Sequence, residues 1–180
     1  MKLYAFLADG FETVEALGVV DIMRRGGVEV CTVSVSDRLE VVTSHNIMVL
    51  ADKLFDDCDF SDADVVFLPG GLPGTKNLEA HEGLCALIDK AFADGKYIAA
   101  ICAAPSILGH RGILKGKTAT CFPGYEDELD GAMPTGEGFC VDGKIITGKG
   151  MGKTIDFALA ILEALTGKDN AEEIKSKIQY

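Results

Sequence analysis

The chain has 180 residues, of which 48% are hydrophobic and 25% are charged, enough apolar material for one well-packed core of ordinary domain size. Its 28 acidic side chains outnumber 17 basic ones, and the net charge of −11 argues against a surface that neutralises nucleic acid or anionic lipid. The first apolar run, residues 3–8, is too short for a signal peptide or a membrane span. We therefore expect one cytoplasmic domain over residues 1–180 that binds neither nucleic acid nor a membrane.

Six cysteines lie at positions 31, 58, 85, 102, 121 and 140, and no two of them form a C-x-x-C pair. A chain of this size and apolar content does not need disulfides, and the spacing does not suit structural zinc. We expect no metal site. Most of the cysteines, notably Cys31, Cys85 and Cys140, should be small buried hydrophobes.

The first fifty residues predict a strand, a helix, a second strand and a hairpin. Residues 3–8 and 28–35 form β-branched apolar runs, and between them a helical pattern begins near Glu12 and stops at Gly26. Runs at 40–43 and 47–50 flank Ser44-His45-Asn46 and predict an antiparallel hairpin at the sheet edge. Alternating strands and helices are typical of a parallel sheet with crossover helices.

The middle of the chain continues this alternation. A buried strand at 65–68 runs into a glycine-rich turn that contains Gly70 and Gly71, and a helix is predicted from 77 to 93. The next strand, 97–101, delivers Cys102, and Pro105 can open a helix directly after it. Loops at the carboxyl ends of such strands are favoured ligand positions.

The last third predicts shorter strands and one clear helix. The strands are expected at 118–121, 138–141 and 144–147. An apolar stripe from Ile155 to Leu165 predicts the final helix, which should end at Gly167.

Cys102 has two interpretations at this stage. A helix start supplies a positive dipole end and free N–H groups, which favour the nucleophilic thiolate. Alternatively, Cys102 is one more buried cysteine at the end of a hydrophobic strand. His110 is too far along the chain to act as its base, whereas His45 and His81 can approach only through the fold.

Glu12 and Glu15 lie three residues apart, on one face of the first predicted helix. If the strand before them neighbours the strand that ends at Cys102, the two helix starts face each other. A glutamate buried there can stay protonated, donate a hydrogen bond to the thiolate or shuttle a proton. The alternative is that both carboxylates only complement the helix dipole.

Four segments carry a resemblance to a known family: A-D-G-F-E-T-V-E at 8–15, L-P-G-G at 68–71, A-A-I-C-A-A-P at 99–105 and I-D-F-A-L at 155–159. Through them the chain resembles the DJ-1 branch of the DJ-1/ThiJ/PfpI superfamily over nearly its whole length. The resemblance implies an α/β fold, a flavodoxin-like three-layer α/β/α sandwich with a mostly parallel sheet. It also implies a nucleophile elbow and a homodimer.

The same resemblance assigns roles to five residues. Cys102 matches the family's oxidisable nucleophile, Glu15 the carboxylate bonded to it, and Glu12 a residue of the same pocket. The backbone N–H groups of Gly71 and Ala103 would form an oxyanion site.

Two positions depart from other members of the superfamily. Ala103 stands where members with protease or amidotransferase character have a histidine directly after the nucleophile, which argues against protease chemistry. Phe122 stands where well-known animal members place a pocket histidine. The polar contribution of that histidine is therefore missing at this position.

The activity that the resemblance implies is a cofactor-independent glyoxalase or deglycase-like enzyme. Its substrate would be a small aldehyde, methylglyoxal or a related 2-oxoaldehyde, attacked by Cys102 while Glu15 moves protons. A second hypothesis is a redox-sensing stress-response protein or chaperone in which Cys102 is oxidised to sulfinate. Both hypotheses require the same low-pKa cysteine, so the sequence alone does not discriminate between them.

Overall fold

The structure, a computed structural model, describes residues 1–180. Its strands, in chain order, are β1 (Lys2–Leu7), β2 (Glu29–Ser34), β3 (Glu40–Val42), β4 (Met48–Leu50), β5 (Lys53–Leu54), β6 (Val65–Leu68), β7 (Tyr97–Ile101), β8 (Thr118–Ala119), β9 (Met133–Pro134), β10 (Phe139–Asp142) and β11 (Ile145–Gly148). Its α-helices are α1 (Thr13–Arg25), α2 (Gly74–Ala80), α3 (Glu82–Ala93), α4 (Pro105–His110), α5 (Thr154–Thr166) and α6 (Lys168–Lys177). None of these helices is long and apolar enough to cross a membrane.

Seven strands form the central sheet in the order β10-β11-β7-β6-β1-β2-β5. Every neighbouring pair is parallel except β10 and β11. Side chains alternate between the two faces, so Leu3 and Ala5 of β1 join the core under α1, α5 and α6. Tyr4 and Phe6 join the opposite core, under α2, α3 and α4. The three-layer α/β/α sandwich expected from the sequence is confirmed.

The order of the strands explains where a site can form. β1, β6 and β7 are adjacent in the middle of the sheet, and their carboxyl ends lead into the segments that carry Glu15, Gly70 and Cys102. β6 and β7 occupy the predicted residues, β1, β2, β10 and β11 differ from prediction by one residue at each end, and the edge strand β5 was not predicted. The parallel pairing therefore places three separate chain segments at one edge of the sheet.

The predicted hairpin forms, but not at the edge of the central sheet. β3 and β4 make a separate two-stranded antiparallel sheet, and the edge beside β2 is taken by β5. The hairpin is instead bonded to the loop after β1, where the Gly10 N–H donates to the Val42 carbonyl at 2.7 Å. This corrects its predicted position and brings Ser44 and His45 towards the carboxyl ends of the strands.

The single helix predicted over 77–93 is two helices, α2 and α3, separated at His81. His81 has extended backbone angles, φ −84° and ψ 100°, and its Nδ1 accepts the Leu84 N–H at 3.0 Å. It therefore acts as the N-cap of α3. The helical pattern of residues 77–93 continues through His81, and histidine is not among the usual N-cap residues, so the break is not expected from the sequence. The sequence also gave no prediction of α6, whose only buried residues are Ala171 and Ile174.

Candidate active site

Cys102 follows β7 in a backbone conformation that residues other than glycine seldom adopt, with φ +65°. Two backbone hydrogen bonds fix this conformation. The Cys102 N–H donates to the Gly148 carbonyl at 2.9 Å, and the Phe122 N–H donates to the Cys102 carbonyl at 2.8 Å. Strain of this kind persists where the surrounding structure enforces it and is concentrated at functional sites.

Glu15 reaches Cys102 from α1 and is almost completely buried, with 1% of its surface exposed. Its carboxyl group lies beside the Cys102 side chain, because both border the same small space at Gly70. Its Oε2 also accepts the Gly70 N–H at 3.0 Å. A Cβ on residue 70 would lie 2.5 Å from the Cys102 Cβ and 2.7 Å from the Glu15 Oε2, so glycine is needed there.

Burial is the main influence on the protonation of this pair. Burial raises the pKa of Glu15 to about 7. The interaction with the Cys102 side chain lowers this pKa, and the nearby Glu12 charge raises it further. Burial, followed by the Glu15 carboxylate, also raises the pKa of the Cys102 thiol, whereas the N–H groups of Ala103 and Gly71 lower it. The sequence expectation of a low-pKa thiol in the resting site is therefore wrong, because α4 begins only at Pro105 and burial beside a carboxylate outweighs two N–H groups.

The proton of the pair can nevertheless move. When Glu15 takes up a proton, the negative charge that raises the Cys102 pKa disappears, and the carboxyl group becomes a donor to sulfur. A Glu15 pKa of about 7 means that the ionised and the protonated carboxyl are both populated near neutral pH. Such a group suits general acid–base chemistry.

A cavity of about 420 Å³ opens above Cys102. Its lining combines glycine-loop backbone, apolar rings and a few polar side chains, contributed by Glu12, Ser44, His45, Gly71, Leu72, Cys102, Ala103, Phe122 and Tyr125. The structure thus brings together all five residues singled out in the sequence: four line this cleft, and the buried Glu15 lies beside Cys102 from inside the protein. A larger cavity, about 510 Å³ between β10, α5 and α6, contains none of them.

The two glutamates occupy different positions at the start of α1. The Glu12 carboxylate Oε2 accepts the Glu15 N–H at 2.7 Å and caps α1, the role of an acidic residue at a helix start. It also lines the cleft. Glu15 is the residue that is buried against Cys102.

Sequence reasoning did not place Ser44, His45 and Tyr125 in the cleft. No spacing or motif signals their presence, because they come from the separate hairpin and from a turn after β8. Phe122, in contrast, lines the cleft as the resemblance implied. No group of three His, Cys, Asp or Glu side chains is arranged to hold a metal ion, and all six cysteines are unpaired.

Comparison with known proteins gives a consistent picture. The model of the DJ-1/PfpI family matches residues 1–164. Protein DJ-1 homolog B of Arabidopsis thaliana is 38% identical over 179 residues; the match covers 98% of this chain but 41% of that relative, so the chain spans less than half its length. The structure of oxidized Toxoplasma gondii DJ-1 superposes with a TM-score of 0.95 at 35% identity, over 99% of this chain and 98% of that one. Isonitrile hydratase of Pseudomonas putida is 32% identical over 146 residues, which cover 80% of this chain and 63% of the enzyme.

Proposed function

The chain belongs to the DJ-1/PfpI family, and we propose that it is a glutathione- and cofactor-independent glyoxalase, with deglycase-like chemistry, that acts on methylglyoxal or a related 2-oxoaldehyde. A DJ-1 homologue and an enzyme, isonitrile hydratase, are among its relatives, which supports a stress-related or enzymatic role. The observation that carries the proposal is the position of the buried Glu15 carboxyl beside Cys102, at an open cleft.

The first step is addition of sulfur to the aldehyde. Cys102 Sγ bonds to the aldehyde carbon, and the thiol proton passes to Glu15 and from there to the new hydroxyl, giving a hemithioacetal. The N–H groups of Gly71 and Ala103 stabilise the negative charge that develops on that oxygen. Glu15 is an ionised carboxylate again when this step is complete.

The second step moves hydrogen between the two carbons. Glu15 removes the C1 proton to give an enediol and returns it to C2, which leaves a thioester of the hydroxy acid on Cys102. Water then cleaves the thioester and restores the thiol. Overall, methylglyoxal and one water give lactate, so no external oxidant or reductant is consumed.

We further propose a single-domain, cytoplasmic homodimer. All six cysteines are unpaired, and a reducing compartment such as the cytoplasm keeps cysteines in this state. Large apolar side chains are exposed on α1, on the hairpin and around the start of α5, where a second copy can cover them: Val14, Ile47, Met48, Leu50, Met151 and Ile155.

The test is lactate formation from methylglyoxal without glutathione. We expect the wild type to turn over, and Cys102→Ser and Glu15→Gln each to lose activity by about 100-fold or more. Cys58→Ser, a cysteine outside the cleft, is the matched control and should retain activity. A wild type without turnover, or an active Cys102→Ser variant, would contradict the proposal.

The second candidate is a redox sensor. It is favoured by the N–H groups of Ala103 and Gly71 at the sulfur, which can donate hydrogen bonds to sulfinate oxygens together with a protonated Glu15. Two molecules of peroxide would convert the thiol to the sulfinic acid and be reduced to water. Intact mass after mild peroxide treatment separates the candidates: two oxygens on Cys102 without aldehyde turnover supports the sensor.

A further inference from the structure

His45 is the one histidine of the chain that borders the cleft. His81 caps α3, and His110 lies between Glu79 and Glu128, with nitrogen–oxygen distances of 2.6 and 2.8 Å. His45 instead lines the cavity above Cys102. Its Nδ1 lies 3.0 Å from the Ser44 Oγ, and its Nε2 has no hydrogen-bond partner in the protein. The second ring nitrogen is therefore available to a molecule in the cleft.

The position of His45 is fixed by the attachment of its hairpin to the loop that carries Glu12. The Ser44 N–H donates to the Phe11 carbonyl at 2.9 Å, and the Gly10 N–H bond to Val42 anchors the adjoining strand. The His45 N–H donates to the Oγ1 of buried Thr43 at 3.3 Å. The backbone that carries His45 is thus held by the same loop that shapes the cleft, and its exposed ring borders the cavity.

The proposed reaction has a proton requirement that the groups already assigned leave unmet. Between hemithioacetal and thioester, the oxygen on C2 gains a proton and the oxygen on C1 loses one. Glu15 is occupied with the proton that moves between the carbons, and the N–H groups of Gly71 and Ala103 bind oxygen without transferring protons. One oxygen of the Glu12 carboxylate, Oε2, accepts the Glu15 N–H as the cap of α1, and Phe122 offers no titratable group.

Resting on the proposed function, we propose that His45 is a catalytic residue that relays this proton between the two substrate oxygens. Its Nε2–H donates to the C2 oxygen while Glu15 takes the C1 proton. The ring donates this proton as the imidazolium and becomes neutral imidazole. The neutral imidazole then takes the proton of the C1 hydroxyl as the thioester forms, so the protons and charges balance and no redox change occurs. Imidazole is suited to this because it donates and accepts protons near neutral pH.

This role defines the substrate class. The relay needs an oxygen on the carbon next to the aldehyde, so 2-oxoaldehydes should turn over and simple aldehydes should stop at the hemithioacetal. The ring faces of Phe122 and Tyr125 on the cleft wall provide apolar surface for a small side chain on C2.

The test compares wild type, His45→Ala and Glu40→Ala, an exposed position on the same hairpin, with methylglyoxal as substrate. We expect His45→Ala to lower kcat by about 100-fold, with a much smaller change in KM. Added imidazole should restore several-fold of the lost kcat. The rate of Cys102 alkylation by iodoacetamide should be unchanged, since the thiol and Glu15 remain in place. Glu40→Ala should behave as wild type.

Three results would overturn the relay, and they are distinguishable. If wild type turns over and His45→Ala stays within about threefold of it, the relay fails while the glyoxalase stands. A loss that imidazole does not restore, or one accompanied by altered Cys102 alkylation, indicates a structural role. A wild type that produces no lactate overturns the glyoxalase proposal and the relay with it.

Discussion

Glu15 and Cys102 come from different strand–helix units and lie side by side around the space that a side chain on Gly70 would fill. Three adjacent strands, β1, β6 and β7, each deliver one member of this arrangement. The pair therefore depends on the spacing of the strands and on the absence of one methyl group. Changes at Gly70 and Glu15 should therefore have measurable effects on stability and activity.

Gly70→Ala should damage both stability and chemistry. Its Cβ would overlap the Cys102 Cβ and the Glu15 Oε2 and would lie 2.9 Å from the Ile101 carbonyl oxygen, so backbone must move. We expect the free energy of unfolding to fall by about 1–3 kcal/mol, measured by urea denaturation, and turnover to be lost. Gly152→Ala is the matched control, because nothing lies within 4 Å of a Cβ there. Equal stability of the two variants would refute the overlap.

The buried Glu15 should give the protein a pH-dependent stability. Burial raises its pKa from 4.5 to about 7, so between these values the folded chain retains a proton that the unfolded chain releases. Stability should therefore fall as the pH rises from 4.5 to 7, by up to about 3 kcal/mol. Denaturation across this range should show a smaller decrease for Glu15→Gln. A decrease of the same size in both proteins would contradict the assignment.

His81 should stabilise the start of α3 through its side-chain cap. His81→Ala removes the acceptor of the Leu84 N–H, whereas His81→Ser can replace it. Both variants lose the ring contact with Phe55, at 4.5 Å between centroids, so their difference isolates the cap. We expect the Ala variant to unfold with about 1 kcal/mol less free energy than the Ser variant. No difference between them would exclude a capping role.

His110 should contribute stability that disappears at alkaline pH. Hydrogen bonds to Glu79 and then Glu128 raise its pKa above the ordinary 6.5. The contribution should be complete below pH 6.5 and be lost as the pH rises through the higher value of the folded state. Because the side chain is partly exposed and screened, we expect about 1 kcal/mol or less. The difference in unfolding free energy between wild type and His110→Gln should be present at pH 6 and absent at pH 9; a constant difference would rule out the charged bridge.

Elements that local sequence patterns determine are predicted most accurately. The strands that became β6 and β7 are short β-branched runs with clear turn signals, and both were assigned to the right residues. Cys102 was located at a strand end by the same patterns. The residues alone suggest a glutamate near Cys102 only if β1 and β7 are neighbours, whereas β6 lies between them; the choice of Glu15 comes from the family resemblance, because strand order is not visible in local periodicity.

The parts that were missed depend on tertiary contacts. The break between α2 and α3 rests on a side-chain cap by His81, a residue that is also compatible with a helix interior. The hairpin position rests on hydrogen bonds to the loop after β1, both from its backbone and from the Asp9 carboxylate, which accepts the Val42 N–H at 2.8 Å; local periodicity does not show such long-range contacts. His45 lies at the cleft because the hairpin is attached to this loop. The thiol pKa was misjudged because the degree of burial is a property of the packed site.

At Cys102, the left-handed backbone brings selection for stability into conflict with selection for the thiol. Glycine is the residue that occupies this conformation without strain, yet glycine carries no sulfur. A protein that keeps the thiol at residue 102 is therefore less stable than the variant with glycine at this position. A lineage in which the reaction is no longer needed should drift first at this position, and glycine at residue 102 in a relative would mark a fold that survived the loss of its chemistry.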